Sequence, residues 1–348
     1  MNFRSFKKQS FRNQLIILIG FLIVLLIIIY LLFQHNIFHY EDDYVELKDP
    51  VKVDPLKADY DIFQLDDSEE NLHIKYGFEL FINTAQYIGP ENGDPEMKYS
   101  GNNLSCTNCH LNAGTKPYSG MLIGVINRFP QFRGRENKIG SIEERINGCM
   151  ERSMNGRVLP VSGNEMKAFV AYMNWLNRFA PEDGKIKGVG YANVKIPNRR
   201  VNLEEGKTLF AEKCASCHGE NGQGVALREY KGYLYPPLWG DDSYNNGAGM
   251  TRVITAAEFI KANMPYGATF EEPELTDEES YDLAGYINSH ARPLKPNPER
   301  DFPDLTKKPV STPYPPYADN FPIQQHQMGP FQEIMEFYKA EYGMVKTK

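Results

Sequence analysis

The chain has 348 residues, 41% of them hydrophobic, and a net charge of −7 at neutral pH. That length allows two ordinary domains, and the acidic balance argues against a nucleic-acid partner.

Residues 1–14 carry Arg4, Lys7, Lys8 and Arg12, and Leu15 to Phe33 follows as a 19-residue apolar run interrupted only by Gly20 and Tyr30. Roughly 20 such residues span a bilayer as a helix. No small-x-small cleavage site follows, and Glu41, Asp42 and Asp43 lie beyond. The positive-inside rule places residues 1–14 in the cytoplasm and everything after residue 40 outside. Residues 15–34 are therefore predicted as an uncleaved single-pass signal anchor in a bacterial cytoplasmic membrane, the remainder lying on the periplasmic side; a cleaved signal peptide is the alternative. The acidic, Pro-containing residues 35–65 read as a tether.

Cys106-Thr-Asn-Cys109-His110 and Cys214-Ala-Ser-Cys217-His218 are two copies of Cys-x-x-Cys-His. This is the attachment signal for c-type haem: two thiols bind one porphyrin edge and the histidine ligates the iron. Two copies disfavour a redox dithiol or a zinc site and imply two covalently bound haem c groups. Each follows a Gly-x-x-Leu-Phe, at Gly77 to Phe81 and at Gly206 to Phe210. Phe210 stands 4 residues before Cys214 but Phe81 stands 25 before Cys106, so the first copy carries an insertion over Gly89 to Asn103.

The closing helices of the copies also correspond, Ala171-Tyr172-Met173-Asn174 with Gly285-Tyr286-Ile287-Asn288. Ser162 with Glu165 and Thr276 with Glu279 predict capping boxes at their starts. The expected fold is all-α: cytochrome c domains over 66–180 and 199–292, a linker over 181–198, and an extended tail over 293–348 with a short helix near Phe331 to Tyr342.

Each iron needs a sixth ligand. Met264, followed by Pro265 and 22 residues before Tyr286, is the candidate in domain two, with Met250 competing. Methionine–histidine ligation raises the potential and suits electron transfer. The corresponding place in domain one falls on Cys149 or Met150, which the repeat alone does not separate. Chemistry favours Cys149, the one cysteine outside the haem signals: as an iron ligand it is shielded from stray disulfide formation in an oxidising compartment. Around it stand six arginines (Arg128, Arg133, Arg135, Arg145, Arg152, Arg157). Most are expected to hold haem propionates or surface carboxylates, and two or three to line a pocket for a small dianion.

The segment Arg145-Ile-Asn-Gly-Cys149-Met-Glu-Arg-Ser153, following Cys106 to Thr115, resembles the dihaem thiosulfate dehydrogenases, the tetrathionate-forming c-type cytochromes. Pro117 to Met121, Phe132 to Arg135, and the tail residues Lys308-Pro309, Pro315 to Asp319 and Gln325 to Phe331 fit the same pattern. The resemblance implies an active-site haem ligated by His110 and Cys149. Thiosulfate binds beside it, held by Arg135, Arg145 and Ser153, and the second haem, on His218 and Met264, passes electrons onward. Some members carry a lysine beside the matching methionine; Asn263 stands there in this chain. Many members are soluble, so the apolar run departs from the pattern and points to a membrane-associated acceptor, such as a cytochrome c or terminal oxidase.

The expected chemistry is oxidative coupling of two thiosulfates to tetrathionate, the Cys149 sulfur leaving iron to bond the first thiosulfate. The reverse reaction, tetrathionate reduction, uses the same site. A membrane-anchored electron carrier without substrate chemistry is the alternative, and it leaves Cys149 and the arginines without a role.

Overall fold

The computed structural model describes residues 16–31 and 53–348. Residues 16–31 form helix α1, whose large apolar side chains are all exposed. Sixteen residues rise about 24 Å, and among the described residues no helix is long and apolar enough to cross a membrane. The ends of the predicted span and most of the predicted tether lie outside the described residues.

From Val53 onward helices dominate. α2 (Glu69–Ile82) opens with Glu69 and Glu70 in its first turn, where the helix dipole favours negative charge. α3 (Thr84–Ile88) follows; Thr84 Oγ1 donates to the Leu80 carbonyl at 2.7 Å and accepts from the Cys106 amide at 3.1 Å. The first haem signal is thereby tied to the end of α2. The strands β1 (Gln131–Arg133) and β2 (Lys138–Gly140) pair antiparallel with Phe132 opposite Ile139. This hairpin, and a smaller one described below, are additions to the all-α expectation.

α4 (Ile142–Arg152) starts at a capping box absent from the sequence reading: the Ser141 hydroxyl accepts from the Glu144 amide, and Glu144 Oε2 accepts from the Ser141 amide at 3.0 Å. α5 (Asn164–Leu176) corrects another expectation. Its N-cap is Gly163, with no side-chain cap, so the Ser162–Glu165 box does not form. The helix begins one residue too late for Ser162 to reach it, and Glu165 instead accepts from the Tyr76 hydroxyl at 3.3 Å.

The second half repeats the plan with α6 (Leu203–Lys213), α7 (Ala215–His218), the pair β3 (Val225–Ala226) and β4 (Tyr233–Tyr235), α8 (Val253–Asn263) and α9 (Asp277–Asn288). The expected Thr276–Glu279 capping box is present at α9.

The repeated glycine has one physical reason in both halves. α2 crosses α5 so closely that a Cβ on Gly77 would lie 2.0 Å from the Ala168 carbonyl oxygen. α6 crosses α9 in the same way, a Cβ on Gly206 falling 2.3 Å from the Asp282 carbonyl oxygen. Leu80 and Phe81 of the first half, and Leu209 and Phe210 of the second, are buried beside these crossings.

The tail adds α10 (Ile323–Met328) and α11 (Gln332–Tyr342). It does more than lie over the domains: Phe331, Ile334 and Tyr338 are fully buried members of the second core. The two halves are sewn together by side-chain amides. Asn102 Nδ2 donates to the carbonyls of Ser153 at 2.9 Å and Ser243 at 3.1 Å. Asn245 Nδ2 donates to the Glu151 carbonyl at 2.9 Å and to Asn155 Oδ1 at 3.0 Å.

Candidate active site

α4 carries two stripes at helical spacing. Ile142, Ile146 and Met150 point into the first core, Met150 being only 1% exposed. Arg145, Cys149 and Ser153 form the other stripe. Arg145 Nη1 donates to Cys149 Sγ at 2.7 Å, and the His110 ring is close enough to stabilise the same sulfur's charge. Of the two neighbours left open by the repeat, the cysteine faces His110 and the methionine fills the core.

Burial raises the Cys149 thiol, but the Arg145 guanidinium, the His110 ring and Arg152 outweigh it and bring it down to about 6. Cys106 and Cys109 lie close enough to feel the Cys149 charge; as free thiols they are pushed up, chiefly by burial, to about 12 and about 11. Three sulfurs and one imidazole therefore share a buried neighbourhood.

A haem c fits these residues. His110 Nδ1 is fixed 2.6 Å from the Gly120 carbonyl oxygen, which leaves Nε2 for a metal, the usual arrangement of ligating histidines. Gly120 has φ +69°, and a Cβ there would come 3.0 Å from the His110 ring. The second signal repeats the device: His218 Nδ1 lies 2.8 Å from the Pro236 carbonyl oxygen.

Met264 follows the last residue of α8 and packs against the second core together with Cys214 and Trp239. Its loop neighbour Tyr266 and the thiol of Cys217 both act on Tyr235, whose ring lies 6.3 Å from that of His218. The competing Met250 packs against the first core.

The arginines divide three and three. Arg128 donates to the Gly184 carbonyl at 3.1 Å, Arg133 pairs with Glu136 at 3.0 Å, and Arg157 donates to the carbonyls of Lys98 and Glu96 while stacking on Tyr99. These are structural contacts. Arg145 and Arg152 stand near Cys149, and Arg135 lies close enough to Arg152 for the two charges to act on each other. Arg135, in the β1–β2 turn, is anchored by the tail: Nη1 pairs with Asp301 and donates to the Tyr314 hydroxyl at 2.7 Å, and the guanidinium lies over Phe302. Arg152 is buried, 3.9 Å from Glu136, and burial pushes it down to about 10. The Ser153 hydroxyl has no hydrogen-bond partner among the described residues, while its carbonyl is held by Asn102.

Three members of the site escaped the sequence reading. Tyr191, in the linker, is raised to about 12 by burial and feels Cys109, Arg145 and Cys149. Arg252, just before α8, is pushed down to about 10 by burial and by Arg135. Lys308 is 2% exposed in a cage of Phe302, Tyr314 and Tyr317, with Nζ donating to the Pro316 carbonyl at 2.9 Å. The one advance signal was Gly188 and Gly190 flanking Tyr191, both at positive φ. Backbone bonds from Tyr118 to Gly188 (2.6 Å) and from Gly120 to Gly190 (2.9 Å) press this strand against the His110 loop. An open cavity of about 760 Å³ around Arg199, Asn202 and Glu278 contains none of these residues.

Residues 96–180 match the model of the SoxA/TsdA cytochrome c domain, and residues 203–291 that of cytochrome c. Thiosulfate dehydrogenase of Stutzerimonas stutzeri (strain A1501) is 39% identical over 223 residues, 64% of this chain and 68% of that protein. The thiosulfate dehydrogenases of Psychrobacter arcticus and Allochromatium vinosum are 41% identical over 204 residues and 39% over 207; the matches cover 59% and 58% of this chain and 61% and 75% of those proteins. Among solved structures, the as-isolated form of thiosulfate dehydrogenase (TsdBA) from Marichromatium purpuratum superposes with a TM-score of 0.61 at 34% identity. That match covers 68% of this chain, which spans about half (49%) of that longer chain. Two cytochrome c domains, each with its Cys-x-x-Cys-His, carry two covalently bound haem c groups. With the family's segment folded around Cys149 and these relatives beside it, the chain belongs to the dihaem thiosulfate dehydrogenases, a family of c-type cytochrome oxidoreductases.

Proposed function

We propose that the protein couples two thiosulfates to one tetrathionate at the Cys149 site and passes the two electrons to a cytochrome c or terminal oxidase. The observation that carries this reading is the Cys149 sulfur held 2.7 Å from a buried guanidinium and facing His110. An electron carrier needs no such group.

In the proposed reaction the Cys149 thiolate, charge-paired by Arg145, forms a sulfur–sulfur bond with the outer sulfur of the first thiosulfate, and two electrons leave. When bound, the haems supply a place for one electron each. The outer sulfur of the second thiosulfate then attacks the sulfane sulfur of the adduct. Tetrathionate departs and the Cys149 thiolate is restored; no proton is consumed. Two dianions must approach each other, so fixed guanidinium charge in a water-poor site is the main service of the surrounding residues. Arg135 and Arg145 hold the sulfonate oxygens and the free Ser153 hydroxyl donates to them. Cys106 and Cys109 would attach the first haem, with His110 and Cys149 as the residues that would hold its iron. Cys214 and Cys217 would attach the second, which His218 and Met264 would hold; Met264 is favoured over Met250 by its place in the second core.

We further propose that residues 15–34 hold the chain in the cytoplasmic membrane with both haems outside. The apolar run Leu15 to Phe33 and its flanking charges support this. The protein should then partition with detergent-extracted membranes and resist release by high salt; release by salt alone would end this part of the proposal.

The deciding experiment is thiosulfate-dependent ferricyanide reduction by the purified dihaem protein with tetrathionate quantified. One tetrathionate per two electrons is expected. Cys149→Gly should retain both haems and lose turnover, and an active Cys149→Gly protein refutes the thiolate route. Turnover only from tetrathionate to thiosulfate would assign the reverse direction.

A further inference from the structure

The coupling reaction brings two dianions together, but the cations nearest Cys149 are largely matched by protein anions. Arg145 faces the Cys149 sulfur itself. Arg135 is paired with Asp301, which also holds Lys295 at 3.2 Å. Arg152 shares Glu136 with Arg133. Arg252 differs. Among the described residues no carboxylate lies within ion-pair distance of it, and the one hydrogen bond of its side chain runs from Nε to the Gly249 carbonyl at a long 3.4 Å.

Arg252 nevertheless belongs to the same neighbourhood. α8, which it precedes, packs Phe259 against the Tyr191 ring, 6.3 Å between centroids, and the Tyr191 hydroxyl lies 3.4 Å from where a Cβ on Gly120 would stand, beside the His110 ring; the electrostatic coupling of Arg252 with Arg135 and Tyr191 agrees. The acid best placed to neutralise it is Glu258, further along α8 and buried. That carboxylate is taken by Lys348 at 2.5 Å, whose ammonium also lies over the Tyr191 ring, 5.8 Å from its centroid. One turn beyond Arg252, the buried Thr255 hydroxyl likewise has no partner among the described residues. A guanidinium taken out of water while its nearest counter-charge is shared with an ammonium is costly, and most of its five donors are unused.

We infer that Arg252 is a further anion-binding residue of the Cys149 site, holding the sulfonate of the second thiosulfate while Lys348 keeps Glu258 from neutralising it. The inference rests on the proposed coupling reaction. It makes the site a joint product of the two halves: one sulfonate is held by Arg135 and Arg145 from the first, the other by Arg252 from the second. The ligand class is a small divalent sulfur oxyanion.

The test compares wild type, Arg252→Gln and Arg252→Lys as dihaem proteins. In Arg252→Gln the half-saturating thiosulfate concentration should rise about tenfold to a hundredfold, the loss expected for one charge-assisted contact. The rate at saturation should fall far less, and Arg252→Lys should recover much of the affinity. Unchanged saturation in Arg252→Gln overturns the inference. So does a change accompanied by an altered haem spectrum or midpoint potential without substrate, which would show that Arg252 holds a propionate. If wild type itself shows no turnover, the coupling reaction fails on its own account. Calorimetric binding of tetrathionate to the oxidised proteins then decides about Arg252: weaker binding in Arg252→Gln supports the site, equal binding removes it.

Discussion

Cys149 and Met150 are adjacent in the chain and face opposite ways, one towards His110 and one into the first core. Replacement should separate their roles. Met150→Ala leaves a cavity in a packed core and should lower unfolding stability by about 2–5 kcal/mol, measured by denaturant titration, while the haem spectrum is kept. The lone thiol was legible from cysteine arithmetic, because four of five cysteines were spoken for. Arg135 and Arg145 were named through the family segment, and the structure brings both to the candidate site. Tyr191, Arg252 and Lys308 were not named, since each comes near these residues from a distant stretch, and nothing local marks a side chain whose surroundings are set by a neighbour far away in sequence.

Asp301 permits a prediction with a sign. Burial alone would raise its carboxyl, but Arg135, the Tyr314 hydroxyl and Lys295 together hold it below the usual carboxylate range. A depressed folded-state value contributes stability above the unfolded value, near 4, and that contribution is lost as pH falls through the folded value. Wild type should therefore lose stability on acidification below about pH 4. Asp301→Asn should be less stable at neutral pH, by about 3–5 kcal/mol for a broken buried pair, and should lack that part of the acid transition. Equal acid profiles for the two proteins would contradict the assignment.

At the scale of the element, the glycine in each Gly-x-x-Leu-Phe was readable because two helices cannot cross at backbone contact with a Cβ between them. Gly77→Ala must drive α2 and α5 apart, since the new carbon would sit 2.0 Å from a carbonyl oxygen. It should cost at least about 1–3 kcal/mol and reduce haem incorporation at the first signal, read from the haem-to-protein ratio. Helix starts were less legible. Ser162 and Ser141 both precede a glutamate by three residues, yet only Ser141 caps a helix. The pattern is the same, and the difference is a single residue in where the helix begins. Ser141→Ala should cost about 1 kcal/mol and loosen the first turn of α4, seen as faster amide exchange at Glu143 and Glu144.

At the scale of the molecule, the tandem plan was legible because haem attachment fixes local spacing twice over. The use made of the tail was not, because an irregular Pro-rich stretch has no periodicity to show which face it buries. Phe331, Ile334 and Tyr338 complete the second core. Ending the chain at residue 300 should therefore leave a second half that does not unfold cooperatively, with each lost aromatic worth roughly 3–5 kcal/mol.

The amide ties between the halves bear on how the protein can be rebuilt. The last turn of the Cys149 helix is gripped at Glu151, Ser153 and Asn155 by Asn102 and Asn245, and Asn102 also holds Ser243. The first half is thus a poor donor of parts. Grafted alone onto another redox protein, it would carry its haem signal intact and arrive with the end of the Cys149 helix unfastened. The smallest transplantable catalyst is the whole pair with its tail, and a chimera that exchanges the second half must bring its own equivalent of Asn245 to keep the thiol in place.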